Sequence, residues 1–458
     1  MKSDLYISAM NDNNTELLFI CPVSFLVKSD REQEISKGNA RAEIEKEKLS
    51  LFTDSGETLV FPLRDLLEIR ENDYHLSLPF SFDEHLDLFN LGFKFEDFAR
   101  VLTGAHHELI LQDMLAQEKI RLKDVGAHFT WFDSRGEGGG PRECKIRIFE
   151  TSLVILPAIG HIVRIPLGRI AGVQPGDYDI TVFTDAGEKV LFSRMGAQLD
   201  RVKKTLTDIL DQLSLKTGSF LQELLPGTAP PTIRRLSHLL KEGKIAGRKE
   251  IEAISAAAWQ EMEKKIAGSP LADEYAFLKS LGREEKVAVG FKRGLMGGLK
   301  QDYFWFLIPL CAGNGNPGNP GNAAAFEAGT IQLPGEEEEN QEESLLKQEG
   351  KATYFFRLME QEEYAALKDA SILDRLTDEL IISLNRCLQE INFRREPIYL
   401  PEEKLNDPAY SRYKYAVRRL PELQKLRRLF IGRVIHRSPE QWKSDVTALL
   451  EFNPPSPG

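Results

Sequence analysis

Cysteine is scarce in this chain and unpatterned. The four present among 458 residues, Cys21, Cys144, Cys311 and Cys387, include no CxxC pair, which excludes a zinc ribbon and a disulfide framework and leaves reduced core thiols. Long apolar runs are missing as well. The most apolar stretch, Tyr303 to Ala312, is half of the ~20 residues that a membrane span needs, and Met1-Lys2-Ser3-Asp4 leads into a short strand without a signal-like apolar core. The chain is therefore expected to be cytoplasmic and soluble. Positive charge is not in excess: the formal balance of −11 argues against a whole-protein nucleic-acid or anionic-membrane binder. No GxSxG nucleophile setting and no i, i+4 histidine pair occurs, so neither catalytic residues, metal ligands nor a cofactor are expected.

What is present is a duplication. Lys48 to Thr103 returns as Ser152 to Thr207 without a gap, since 152 − 48 and 207 − 103 both equal 104. Identities fall at Leu49/Leu153, Gly56/Gly160, Pro62/Pro166, Leu63/Leu167, Asp73/Asp177, Tyr74/Tyr178, Glu84/Glu188, Gly92/Gly196 and Thr103/Thr207. A repeat this long is a duplicated domain rather than a solenoid unit. In each copy, alternation of period two (Leu76, Leu78; Ile180, Val182) gives way to period three to four (Phe95, Phe98, Val101, Leu102; Leu199, Val202, Leu206, Ile209), which predicts short antiparallel strands followed by one amphipathic helix. Asp54-Ser55-Gly56, Asn72-Asp73 and Asp185-Ala186-Gly187 supply the turns.

A ~100-residue unit of about seven antiparallel strands closed by a C-terminal helix resembles the pleckstrin-homology (PH-like) superfold. Two in tandem resemble uncharacterised bacterial proteins with paired PH-like modules, over roughly residues 1 to 215. The resemblance implies partner binding along hairpin loops and exposed sheet edges. In lipid-binding relatives the first hairpin recognises phosphoinositides with a lysine and an Arg-x-Arg pair; here the loop Asp133 to Pro141 is flanked by Arg135, Arg142, Lys145 and Arg147, and only Lys145-Ile146-Arg147 is similar. The loop is also acidic, and a solvated hairpin is the reading favoured for it over head-group binding.

The fold class expected is α+β: PH-like modules at 1–118 and 119–215, a helical connector at 216–284, a small α+β domain at 285–400, and C-terminal helices with a tail at 401–458. In the connector, Pro226-Gly227 and Pro230-Pro231 precede helices over Thr232 to Glu242 and Arg248 to Ala267. Within the third region, Gly313 to Gly350 is rich in Gly, Asn, Pro and Glu and reads as a disordered, removable insertion. From Asp407-Pro408 onward the pattern is helical, ending in a helix opened by Ser438-Pro439-Glu440-Gln441.

Few residues suggest chemistry. His106-His107-Glu108 reads as part of a surface helix, because adjacent helical residues point about 100° apart and cannot easily share a site. Gly294 to Lys300 holds glycines and a lysine but departs from the phosphate-loop spacing. Arg412, Lys414, Arg418, Arg419, Lys425, Arg427 and Arg428 alternate with tyrosines; this cationic stretch is read as the anion- or partner-binding surface, with Glu336 to Glu339 as an intramolecular competitor. The tyrosines are read as core contacts. The function expected is that of a non-catalytic protein-interaction scaffold, with a protein as partner. The alternatives are an enzyme or nucleotide-binding protein with a site at 285–400, and membrane-surface recruitment through the 133–147 hairpin, where Arg142, Lys145 and Arg147 would meet a lipid head group.

Overall fold

The computed structural model describes residues 16–29, 33–80, 84–115, 118–269, 271–293, 302–311, 324–332, 351–360, 363, 370–436 and 438–451. The duplication is visible in its first half. Module 1 comprises β1 (Leu17–Ser29), β2 (Glu34–Glu45), β3 (Lys48–Thr53), β4 (Thr58–Pro62), β5 (Arg70–Asn72), β6 (His75–Phe80), β7 (Glu84–Phe89) and helix α1 (Phe95–Leu115). Module 2 repeats this order as β8 (Ile120–Phe132), β9 (Arg142–Phe149), β10 (Ser152–Pro157), β11 (Val163–Pro166), β12 (Ile170–Pro175), β13 (Asp179–Thr184), β14 (Lys189–Ser193) and α2 (Leu199–Leu224). Both sheets have seven strands in one order, β4-β3-β2-β1-β7-β6-β5 and β11-β10-β9-β8-β14-β13-β12.

Alternation dictates which side chains enter each core. Leu76, Leu78, Leu86 and Leu88 face inward with Phe98 and Leu102 of α1, and Ile180, Val182, Val190 and Phe192 face inward with Val202, Leu206 and Ile209 of α2. The turn between β5 and β6 has Asp73 and Tyr74 at φ 45° and 61°, the left-handed pair that a two-residue hairpin favours. At the matching Asp177-Tyr178 the chain makes a different turn, closed by the Gly176 amide donating to the Asp179 carbonyl at 2.9 Å.

The second half is one folded unit. A six-stranded antiparallel sheet runs β15 (Ile245–Gly247), β16 (Ala288–Arg293), β17 (Asp302–Cys311), β18 (Ala324–Gln332), β19 (Lys351–Arg357) and β20 (Phe430–His436) in sequential order. One face is covered by α3 (Pro230–Leu239), α4 (Arg248–Ala267), α5 (Ala272–Leu281) and, through Trp442, α10 (Pro439–Glu451). The opposite face is covered by α6 (Ala370–Glu390), α7 (Glu396–Tyr399), α8 (Lys414–Arg419) and α9 (Pro421–Leu429). This accounts for the apolar run in β17: Phe306 and Ile308 enter one core while Trp305 and Leu307 enter the other. A strand buried on both faces needs no polar alternation.

Several expectations change here. Connector residues Ile245–Gly247 pair with β16, and the connector helices share a core with β17 and Trp442, so the connector belongs to this unit. Helix α2 runs on to Leu224. Within the segment expected to be disordered, Ala324–Gln332 is a strand between β17 and β19; the rest of that segment lies outside the described residues. Phe430–His436 is a strand against β19 rather than helix. Helix α4 is broken at Ser255, at φ −164°, whose Oγ accepts from the Ala258 amide at 3.2 Å and caps the following turns.

Candidate functional site

The cationic C-terminal stretch is turned largely inward. Lys414 is 8% exposed, and its Nζ lies 2.5 Å from Asp65 Oδ1, on a short 3-10 turn of module 1. Arg418 Nη1 donates to the same oxygen at 3.1 Å. Arg419 Nη2 donates to a ring nitrogen of His161 at 2.6 Å, and Arg427 Nη1 donates to the Pro397 carbonyl. Arg412 lies over the Tyr413 ring, Arg428 pairs with Glu360 at 3.3 Å on the surface, and Lys425 is half-exposed. Two of the seven cations, Lys414 and Arg418, thus clamp α8 to module 1, Arg419 meets module 2 and Arg427 its own unit, while Arg412 and Arg428 stay exposed. Glu336 to Glu339 lie outside the described residues.

The hairpin cations are also divided. Lys145 is exposed and Arg142 lies over the Phe129 ring at 4.7 Å. Arg147, on the same face of β9 as Lys145, is 3% exposed; it donates to both Glu108 oxygens at 2.9 and 2.6 Å and to Asp124 Oδ1 at 2.7 Å. Helix α1 covers that face at Arg147. It does so through Ile110, Leu111, Met114 and Leu115, which pack on Phe149, Val154, Leu156 and Ile162 of module 2. His106 and His107 are consequently buried rather than surface residues, at 6% and 4% exposure. Burial drives the His106 imidazole down to about 3 and that of His107 down to about 4, although His107 Nε2 bonds the Gly160 carbonyl at 2.9 Å.

Helix ends complete the junctions. Arg164 of module 2 donates to the carbonyls of Gln389 and Glu390 at 2.7 and 3.0 Å, at the C-terminus of α6. Arg394 donates to the Asp113 carbonyl at 2.6 Å, at the C-terminus of α1. Both place a cation at the negative end of a helix belonging to another unit. Within the 285–400 region considered for an enzymatic site, charged residues of α6 are engaged on the surface: Asp374 with Arg283, Asp378 with Lys286, and Arg375 with Glu379. The Gly294 to Lys300 loop lies outside the described residues.

Sequence reasoning missed two features. A cavity of about 320 Å³ lies where module 2 meets the third unit, lined by Glu118, Arg121, Thr151, Lys216, Glu242 and Lys292 among others. Such residues are isolated in sequence, so only the fold assembles them. The other is the outer surface of module 1. Phe93 is 94% exposed and Tyr74 73% exposed, and the Tyr74 ring lies 5.4 Å from Phe95. Lys94 Nζ reaches the Ile20 carbonyl at 3.4 Å, which brings half-exposed Ile20 to the same end of α1. Strand β1 pairs with β7 only over Ser24–Ser29, so the backbone of residues 17–23 has no strand on that side among the described residues. A groove lined by Ile20 to Ser24, Asn90 and Lys94, and by Asn39 to Arg41 and Asp54 on the paired side, crosses this part of β1. At the position of Phe93, module 2 has Ala197.

Among the described residues no cluster of three or more His, Cys, Asp or Glu is placed to hold a metal ion, and no helix is long and apolar enough to cross a membrane. No family model matches the chain, and no curated protein matches it. Among solved structures, a chain in "Structure of the Spt16D Pob3N heterodimer" is similar over 37% of this chain and 85% of that chain, at 14% identity and a TM-score of 0.16. A likeness of that size carries no argument about function, which rests instead on the geometry above.

Proposed function

We propose that the chain is a non-catalytic interaction scaffold that receives a protein partner on module 1, around exposed Phe93 at the N-terminal end of α1. The observation that carries this reading is the exposure of Phe93, 94%. Single exposed aliphatic residues are ordinary, but a fully exposed phenylalanine beside an open strand edge is what a docking surface offers. An extended segment of the partner would pair with β1 along residues 17–23 and set an apolar side chain against Phe93. Module 2 is the built-in comparison: it has the same strand order, carries Ala197 in place of Phe93, and is covered by α1 through Phe149, Val154, Leu156 and Ile162.

Affinity purification of the tagged chain against its Phe93→Glu/Ile20→Glu variant tests the proposal. Both side chains are at least 40% exposed, so the variant should melt like wild type while losing its co-purifying protein. Equal recovery of the same protein by both chains would refute the docking surface.

A further inference from the structure

The cavity between module 2 and the third unit contains two polar groups whose hydrogen-bonding capacity is unused. Lys292, on β16, is 6% exposed and lines the cavity. Its Nζ lies 4.9 Å from the centroid of the Phe393 ring and makes no hydrogen bond among the described residues, with Glu242 and Glu118 as the opposite charges acting on it. Glu118 lines the cavity from the other side. Its Oε1 accepts the Thr151 hydroxyl, whereas its Oε2 is buried without a donor. Leaving a buried cation and a buried carboxylate oxygen both unsatisfied is costly, and native interiors rarely do so without a ligand or an ordered water. Burial holds Lys292 below the usual lysine range and Glu118 above the usual carboxylate range, the direction expected of groups awaiting a partner.

The remaining lining selects among ligands. Lys216 is engaged by Glu242 at 2.8 Å and Arg121, which is exposed, by Gln212 at 2.7 Å, so among the described residues Lys292 is the buried lining cation that makes no hydrogen bond and Glu118 Oε2 the buried lining acceptor without a donor. The cavity's three cations, Arg121, Lys216 and Lys292, are matched by Glu118, Glu150 and Glu242. A neutral lining disfavours a polyanion and favours a guest that brings a donor together with its negative charge. Leu167, Ile209 and Leu213 supply an apolar wall. About 320 Å³ is the small end of the ~300–1,000 Å³ range of small-molecule sites.

We propose that this cavity binds a phosphate that retains one proton, as hydrogen phosphate or as the head of a small phosphate monoester. Its oxygen accepts from Lys292 Nζ, its P–OH donates to Glu118 Oε2, and any organic group lies on Leu167, Ile209 and Leu213. The site is separate from the module 1 surface, so neither proposal depends on the other.

Calorimetric titration of the full chain with orthophosphate, glycerol phosphate and sulfate, near pH 6 where a monoester is half-protonated (second pKa ~6), tests it. Orthophosphate is expected to bind at least about tenfold more tightly than sulfate, which carries no proton to donate; one charge-assisted hydrogen bond accounts for a factor of that order. Glycerol phosphate binding more tightly than orthophosphate would identify the monoester as the ligand, and the reverse would identify the free anion. Lys292→Met should abolish binding of all three and, by removing an unpaired buried charge, should not lower the melting temperature. Glu118→Gln should keep binding but erase the preference over sulfate, and it carries the test if Lys292→Met fails to fold. Arg135→Ala, in the exposed hairpin, should change nothing. Equal affinity for sulfate and orthophosphate, an unaltered preference in Glu118→Gln, or no heat of binding with any anion would overturn the proposal.

Discussion

Acidification should loosen the contact between the two modules through two histidines. His106 and His107 are buried on α1, facing the Leu66 carbonyl of module 1 and the Gly160 carbonyl of module 2, with Glu108, Arg147, His161 and Arg419 nearby. Both imidazoles titrate far below 6.5, at about 3 and about 4. Since the folded rings resist protons that the unfolded chain accepts at 6.5, their contribution is fully present above that value and declines as pH falls toward 4. Between pH 7 and pH 5 each ring costs ~2 kcal/mol of stability, or ~4 kcal/mol for the pair, from 1.36 kcal/mol per pH unit below the unfolded value. Buried carboxyls such as Asp113, Glu118 and Glu390, raised mainly by desolvation, act in the opposite direction, so wild type alone would show a mixture. The assay is therefore a difference. Urea unfolding followed by circular dichroism at pH 7, 6 and 5 is compared between wild type and His106→Gln/His107→Gln, which retains side-chain donors toward both carbonyls. Wild type should lose ~4 kcal/mol more than the variant over this range. A difference under ~1 kcal/mol would mean that the folded rings protonate normally and are not sequestered.

Three further outcomes follow from the packing. Asp65→Ala strands the buried Lys414 against module 1 and should cost ~3–5 kcal/mol, as removal of one partner from a buried pair does; adding Lys414→Met should recover part of that loss in the same urea assay. Leu206 is 1% exposed under the closing helix of module 2, so Leu206→Asp should abolish that module's cooperative transition, whereas an unchanged melting temperature would place the side chain in solvent. Deleting 324–332 removes the strand between β17 and β19, and the third unit should lose its protection from hydrogen exchange; retained protection in β17 and β19 would show the strand to be dispensable.

Periodicity made the tandem modules legible because it reports burial on one face, and a gapless repeat checks every assignment twice. Leu76 and Ile180 are buried for the same reason at the same step. Long-range pairing was invisible to it. Ala324–Gln332 lies among Gly, Asn, Pro and Glu and becomes a strand through its pairing with β17 and β19. Phe430–His436 pairs with β19 from far along the chain. The cationic stretch misled for a related reason: charge can be counted in a sequence, but Asp65, which holds Lys414 and Arg418, is more than 300 positions away (|i−j| 349 and 353). The histidine pair followed the helical-wheel argument correctly, since the two rings meet different carbonyls, those of Leu66 and Gly160. What the wheel could not supply was that His106 meets Leu66 of its own module and His107 meets Gly160 of module 2.

The central claim is that partners dock on module 1 and not on its duplicate. A photo-reactive amino acid placed at position 93, and in a second chain at its counterpart position 197, measures this directly after irradiation in cells. The account predicts a discrete cross-linked protein adduct from position 93, lost on Ile20→Glu, with none from position 197. Equal adducts from both positions, or none from position 93, would contradict it.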